Sequence, residues 1–211
     1  MNFKGTAENG KVQGVGVIKG GDYDRLDIDG VCTVDGDLKA ETLKVNGVCT
    51  CNGSIDAEKF ECDGVLTING NLRAGTIDID GVVTINGEKV EADHIDCEGV
   101  MSVNGEISAD VIDADGKLNA REIVGDSITI KSYWKRGAFA QLMIKAGEKM
   151  NKKFSEVDLI EGTTVDLQGV RAKSVNGQNV NIRKNCNIDI VEASGVLTID
   201  PRAVVGKVAN A

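Results

Sequence analysis

A short signature that recurs at intervals of about 17 residues constrains the fold of this chain more than any other feature of its sequence. The signature joins an aliphatic or aromatic residue, a variable residue, a small or aliphatic residue, an acidic or amide residue and a glycine, as in Leu26-Asp-Ile-Asp-Gly30. Its glycines are evenly spaced except for one extra residue between the fourth and the fifth, and they are Gly30, Gly47, Gly64, Gly81, Gly99 and Gly116. Such repetition indicates a solenoid, in which each repeat is one unit that stacks on its neighbours.

Within each repeat the side chains alternate with the period of two that is typical of a β-strand. One parity of the first repeat is apolar or glycine: Leu26, Ile28, Gly30, Cys32, Val34, Gly36, Leu38 and Ala40. The other parity is polar, and a phase slip near Thr42, Lys59 and Thr76 resets the alternation for the next repeat. One repeat therefore forms one lap of a coil, with a perimeter of roughly 56 Å at about 3.3 Å per residue.

The Asp-Gly and Asn-Gly steps supply residues that tolerate a left-handed backbone at the corners of such a lap. A series of β-hairpins is the alternative, but hairpins do not require equivalent residues to recur at a fixed interval, whereas stacking does. We therefore predict an all-β fold, a single-stranded parallel β-helix with triangular coils of about 17 residues. We expect an N-terminal tail at 1–14, a regular array at 15–131, a basic insertion at 132–156, less regular coils at 157–205 and a C-terminal tail at 206–211.

Composition and charge narrow the classes of partner. Aromatic residues make up 3% of the chain and hydrophobic residues 41%, so Val, Ile, Leu, Ala and Cys must fill the core. The net charge is −9, and residues 21–126 hold 24 acids against 8 bases, which disfavours nucleic acid as a partner. Residues 1–11 contain no secretory apolar run, and no stretch approaches the ~20 apolar residues of a membrane span, so we expect a cytoplasmic location.

Six cysteines raise the question of a metal or disulfide site. Cys32, Cys49, Cys51, Cys62 and Cys97 have the parity of the core, so we interpret them as small hydrophobic residues. Cys32 and Cys49 lie one lap apart, close enough for a disulfide, but cytosolic thiols are normally kept reduced. The outward acidic column could attract Ca²⁺, yet the nonapeptide of calcium-binding β-rolls is absent and turn chemistry explains its members: Asp29, Asn46, Asp63, Asp80, Glu98 and Asp115.

Enzymes with β-helical folds are the main competing class. Hexapeptide acyltransferases use coils of similar length, and a related carbonic anhydrase family needs three histidine ligands, whereas this chain has one histidine, His94. The sequence contains no phosphate-binding Walker loop, no dinucleotide fingerprint and no nucleophile paired with a base. We therefore predict that the chain is not an enzyme, with no catalytic, cofactor-binding or metal-binding residues.

The repeat units also carry a family resemblance. Units of the form Gly-Val-x-Thr-aliphatic-(Asp/Asn)-Gly-x-aliphatic-x-Ala, followed by Val170-Arg-Ala-Lys-Ser-Val-Asn-Gly177 and by Val191-Glu-Ala-Ser-Gly-Val-Leu-Thr-Ile-Asp-Pro201, resemble the bactofilins, in particular the longer bactofilin-like proteins of Gram-positive bacteria. The resemblance covers roughly residues 15–205. It implies a right-handed β-helix that polymerises end to end into non-polar filaments without nucleotide. It also implies a cytoplasmic scaffold for cell shape, envelope synthesis or motility structures, with envelope or motility proteins as partners.

The basic insertion departs from this pattern, because residues 131–153 hold 7 bases against Glu148. A helix over 138–152 would be amphipathic, and two interpretations stay open: it packs on the flank of the solenoid, or it contacts a membrane surface or a protein partner. The residues expected to make the second kind of contact are Trp134, Lys135, Arg136, Phe139, Leu142 and Met143.

The ends of the solenoid are where self-association is expected, because each end exposes unpaired backbone groups and an apolar cross-section. We predict contacts between copies of this chain through Val17, Leu26 and Ile28 at one end and Val196, Ile199 and Val205 at the other. The alternative is a β-helical module that does not polymerise and binds a partner through its outward columns, including Thr33, Thr50, Thr67 and Thr84.

Overall fold

The computed structural model describes residues 10–132 and 154–210. These residues form 17 β-strands in one parallel sheet that winds into a solenoid of about 11 coils, and they contain no helix. The strands are β1 (Gly10–Val12), β2 (Val15–Ile28), β3 (Val31–Val45), β4 (Val48–Cys51), β5 (Ile55–Cys62), β6 (Val65–Ile68), β7 (Leu72–Ile79), β8 (Val82–Ile85), β9 (Lys89–Cys97), β10 (Val100–Val103), β11 (Glu106–Ala114), β12 (Lys117–Lys131), β13 (Ser155–Gln168), β14 (Val170–Ile182), β15 (Asn187–Ala193), β16 (Leu197–Ile199) and β17 (Val204–Asn210). The predicted fold class, an all-β parallel solenoid, is confirmed.

The spacing of the sequence repeat is also the spacing between residues that pair in the sheet. Cys49 pairs with Cys32 and Leu66 with Cys49, each one full repeat further along the chain. The one longer step is the pairing of Leu72 with Val90, where the sequence repeat also lengthens by one residue. Equivalent residues of successive repeats therefore lie on adjacent rungs of the same ladder.

Each coil of the regular array has three flanks, which we name A, B and C. Flank A consists of residues 15–18 and 31–34 together with β4, β6, β8 and β10. Flank B follows at residues 38–40 and flank C at residues 43–45, and both recur in β5, β7, β9 and β11. Between flanks B and C two successive residues, such as Glu58 and Lys59, face solvent, which is the phase slip that the sequence predicts.

The core is a set of inward columns that run along the solenoid. Leu38, Ile55, Leu72, Val90 and Ile107 form one column and are nearly inaccessible to solvent. Alanines form the next column, at Ala40, Ala57, Ala74, Ala92 and Ala109. Because each buried aliphatic side chain contributes roughly 1.5–3 kcal/mol relative to its exposed state, these columns supply most of the stability of the stack.

The corner glycines have a different role from the one predicted. Positive φ angles occur at Gly14, Gly21, Gly36 and Gly169 but not at the glycines of the repeat signature. A Cβ atom on Gly64 would instead lie 2.0 Å from the carbonyl oxygen of Gly47 on the preceding rung, and the same clash recurs along the column. Glycine is therefore required here because successive rungs approach closely, not because the backbone is left-handed.

The coils that follow the array have shorter repeats and continuous strands. Ile107 pairs with Ile123 and Ser155 with Val170, so these coils are shorter than those of the array by one and two residues respectively. Between them Ala120 pairs with Val157, a step of 37 residues that spans the segment outside the described residues. The domain boundaries also shift slightly, because β1 begins at Gly10 inside the expected N-terminal tail and β17 continues to Asn210 inside the expected C-terminal tail.

Candidate assembly surfaces

The C-terminal end of the solenoid leaves its apolar core open. Strands β16 and β17 each pair on one side only within the described residues, with β14 and β15. Val208 continues the inward column of Val175 and Val191, which are fully buried, yet Val208 is 46% exposed. This end therefore presents both unpaired backbone groups and the edge of the core.

Three of the residues predicted for self-association lie at this end. Ile199 and Val205 occupy inward positions of the last coil and are half-buried, each pairing with a residue of the coil beneath. Val196 lies at the corner before β16 and is 63% exposed, while its carbonyl oxygen accepts a hydrogen bond from the Val180 amide at 2.8 Å. Sequence reasoning missed Val208, because the last strand was expected to end before it.

The N-terminal end is more closed. Leu26 and Ile28 pair with Gly10 and Val12 of β1 and are each 1% exposed, so they lie one layer below the end. Their predicted role as direct contacts between copies does not fit this position, because β1 covers them. Val17 is exposed, but it faces outward on flank A in register with Thr33.

Tyr23 contributes to closing this end. It occupies the position that alanine takes in the next coils, in register with Ala40, and its larger side chain is buried. Its hydroxyl group donates a hydrogen bond to the Lys19 carbonyl oxygen at 2.9 Å. A Cβ atom on Gly10 would lie 3.3 Å from the Tyr23 ring, so the ring and β1 are in close contact. The outer backbone edge of residues 15–24 still has no strand partner among the described residues.

Flank C carries a ladder of like charges. Glu61, Asp78, Asp96 and Asp113 lie on consecutive rungs in direct register. Lys44 and Lys59 form ion pairs with Glu61, which lowers the pKa of its carboxyl group. Asp78 forms no ion pair with another described residue, and burial, followed by the charges of Asp80 and Asp96, raises the pKa of its carboxyl group. Among the described residues no group of His, Cys, Asp or Glu is arranged to hold a metal ion.

The five cysteines of the array lie in the core, as predicted from their parity, and Cys186 is buried as well. All six are free and buried. Burial raises the pKa of Cys62 and of Cys97 to about 12, and a hydrogen bond to Cys32 together with burial raises the pKa of Cys49. The thiols of Cys49, Cys62 and Cys97 therefore stay protonated at neutral pH, which makes them poor nucleophiles and metal ligands. A hydrogen bond with Cys49 lowers the pKa of the Cys32 thiol.

The residues on either side of the segment outside the described residues are in contact with each other. The hydroxyl groups of Ser132 and Ser155 lie 2.7 Å apart, and the Ser132 amide donates to the Gln168 carbonyl oxygen at 2.9 Å. Ser155 is fully buried, and its hydroxyl oxygen accepts a hydrogen bond from the Leu118 amide at 3.0 Å. We name this arrangement of Ser132 and Ser155 the neck.

The residues predicted for membrane or partner contact lie beyond the neck, outside the described residues: Trp134, Lys135, Arg136, Phe139, Leu142 and Met143. Within the described ranges there is no helix that is long and apolar enough to cross a membrane. A surface depression of about 640 Å³ follows flank B and is lined by residues such as Ala92, Asp93 and Asp110.

Comparison with known proteins gives one short similarity. Over 48 residues the chain is 46% identical to YhbE of Bacillus subtilis (strain 168), which is described as an uncharacterized protein. The aligned stretch is 23% of this chain and 20% of YhbE, so the chain spans about a fifth of that relative. No protein-family profile and no solved structure matches the chain.

Proposed function

We propose that this protein is a structural subunit that stacks end to end into nucleotide-independent filaments and serves as a scaffold. The open C-terminal end is the observation that carries the proposal. Val208 is 46% exposed although its column is otherwise buried, and Ile199 and Val205 lie beside it. An end of this kind offers a template on which another coil can form the next rung.

The energy of such a junction favours assembly. A triangular lap of roughly 56 Å encloses about 150 Å², so joining two ends buries about 300 Å², worth ~7 kcal/mol. Association costs ~4–15 kcal/mol, so burial alone gives little or no net gain. About a dozen new backbone hydrogen bonds at ~0.5–1.5 kcal/mol each supply the remaining free energy.

The charge of the last coil permits close approach. Asp200 binds Arg202, and Lys207 adds a second base, so this coil lacks the acidic excess of flank C. Two C-terminal ends can therefore meet without an acidic surface facing another acidic surface. The resemblance to bactofilins supports the same function, with other copies of this chain as the main partner and cell shape, envelope or motility structures as the setting in the cytoplasm.

A substitution at the open end tests the proposal. Ile199→Lys places a charge where the next rung would pack, so we expect filaments to be lost in negative-stain microscopy while the β-sheet circular-dichroism signal is kept. Val111→Lys is the matched control, because Val111 is an exposed valine on a corner in the middle of the stack and should leave filaments intact. Long filaments of the Ile199→Lys protein would contradict the assignment.

A second candidate function is a monomeric or dimeric binding module. The uncharged outward columns of flank A favour it, because they offer a flat surface to a partner. Light scattering at micromolar concentration separates the two functions: a mass of 22.3 kDa or twice that value indicates a module, and a much larger mass indicates filaments.

A further inference from the structure

Flank A presents two uncharged columns to solvent. The first column is made of valines on six consecutive rungs: Val15, Val31, Val48, Val65, Val82 and Val100. The second column consists of Val17, Thr33, Thr50, Thr67, Thr84 and Ser102. Val15 is 88% exposed, and Val31 and Val48 are each 49% exposed.

The other two flanks show that a strand of this solenoid can carry charged residues on its outward side. On the same rungs, flank B carries Lys39, Asp56 and Arg73 outward, and flank C carries the acidic ladder that includes Asp78 and Asp96. All three flanks belong to the same parallel stack and share its spacing. β-branched residues favour strands, but strand preference alone would not keep charge off one flank over six rungs.

The uncharged surface also has a defined boundary. On the next rung Lys117 follows Val100 and Asn119 follows Ser102, and the neck lies beyond them. A continuous apolar surface with polar limits is typical of an interaction site rather than of scattered exposed residues.

We propose that flank A packs face to face against flank A of a second copy of this chain. The chain has a net charge of −9, so contacts through flank C would bring carboxylates together. The outward columns of flank A carry no charge, and the acidic corner column that includes Asp63, Asp80 and Glu98 runs along one edge of the flank. The rungs of the two copies also share one spacing of about 4.8 Å, so their β-branched side chains can interdigitate. A two-fold axis parallel to the solenoid axis would set the valine column of one copy against the threonine column of the other and would keep the two acidic corner columns apart.

The size of the face predicts the strength of the contact. Six rungs about 4.8 Å apart and a width of roughly 13 Å give about 350 Å² per copy, or about 700 Å² in total, below the ~1,200 Å² of a stable interface. A single pair is therefore weak. Subunits stacked end to end would repeat the contact along two filaments and strengthen it by avidity, and this stronger form rests on the proposed function.

Cross-linking tests the contact through flank A in a protein that is expected to form no filaments. In an Ile199→Lys background, Thr67→Cys places a thiol on a middle rung of flank A, and Ser108→Cys places one on flank B with similar partial exposure. With a short bis-maleimide at several hundred micromolar protein, we expect at least ten-fold more cross-linked dimer from Thr67→Cys. The six native cysteines are buried, and the Ile199→Lys protein sets the background. Equal cross-linking from both positions would overturn the proposal.

Filament width gives the second measurement. Val65→Lys introduces charge into the valine column and should turn paired filaments into single ones of unchanged length, while Ser108→Lys should leave the pairing intact. Cross-linking through Thr67→Cys without any filaments would refute the filament function and support the face. Filaments that are single in both the unmodified protein and Val65→Lys, together with background cross-linking, would refute the face and leave the filament function standing.

Discussion

The regular array and the coils after the neck are both stacks of parallel coils, but they differ in strand length and in the geometry of their corners. From β4 to β11 of the array, flank A strands of four residues alternate with strands of eight or nine that bend once, and a glycine column marks one corner. After the neck, β13 and β14 run for 14 and 13 residues through the corners. A Cβ atom on Gly64, at the corner between flanks C and A, would lie 2.0 Å from the carbonyl oxygen of Gly47. A Cβ atom on Gly177, at the corner between flanks B and C, would lie 2.7 Å from the carbonyl oxygen of Gly162.

The difference shows which interactions are essential to a solenoid of this kind. Both regions keep inward aliphatic columns and parallel ladders, so these features are sufficient for stacking. Tight corners are an additional feature of the array, where amide side chains also connect successive rungs, as when Asn46 donates to Asp29 at 2.8 Å. The array is therefore the more rigidly specified region, and single changes should affect it more.

The largest expected effect is at the glycine column. Gly64→Ala should lower the free energy of unfolding by about 3 kcal/mol or more, because backbone atoms of two rungs must separate. Gly177→Ala should cost less, about 1–2 kcal/mol, because its Cβ atom would meet the carbonyl oxygen of Gly162 at 2.7 Å rather than at 2.0 Å. Chemical denaturation measures both values.

Gly16→Ala is the control for this pair, because no atom lies within 4 Å of the Cβ position at Gly16. It should be neutral or stabilising by about 0.5 kcal/mol, through the restricted unfolded chain. A cost at Gly177 equal to that at Gly64 would remove the proposed distinction between the two regions.

The next effect lies at the junction of the regions. Ser155→Ala removes the acceptor of the Leu118 amide in a fully buried position, so it should cost about 1–3 kcal/mol. Amide hydrogen exchange at Leu118 should rise with it. Ser132→Ala keeps that acceptor and should leave the exchange of Leu118 slow. Unchanged exchange in Ser155→Ala would show that the hydroxyl group does not replace a backbone acceptor there.

The smallest effects compare flank C in the two regions. Asp166, after the neck, accepts a hydrogen bond from Asn181 at 3.1 Å and pairs with Arg183, whereas Asp78 faces other carboxylates. At pH 7, Asp78→Asn should stabilise the protein by less than about 1 kcal/mol, and Asp166→Asn should destabilise it by a similar amount.

The pH dependence of Asp78→Asn follows from the raised pKa of Asp78. The folded protein holds the proton of Asp78 to a higher pH than the unfolded chain does. Ionisation of Asp78 therefore lowers the free energy of unfolding as the pH rises from the ordinary pKa of 3.8 through the raised pKa of the folded state. The gain from Asp78→Asn should therefore be present at pH 7, vanish near pH 3 and shrink in high salt. Thermal unfolding across pH measures it, and a gain that persists at pH 3 would contradict this cause.

Prediction from sequence succeeded where residues repeat in space. The register of Leu38, Ile55 and Leu72 and the burial of the cysteines follow from a fixed period and a parity of two. The role of Gly64 could not be predicted, because a close approach between rungs leaves the same sequence signal as a left-handed turn. Val208 was missed because the last coil has no repeat partner beyond it, and the covering of Leu26 by β1 depends on a three-residue strand without the repeat signature.

At the neck, the number of residues between two paired positions does not set the length of the solenoid. Ala120 and Val157 are neighbours across a rung although 37 residues separate them, so what emerges between Ser132 and Ser155 adds no length to the rod. Because the entropy of closing a loop grows only slowly with its length, segments of many sizes could be exchanged at this point at small thermodynamic cost. A filament built from this subunit would then carry one such segment per subunit, so these segments would be evenly spaced along the filament.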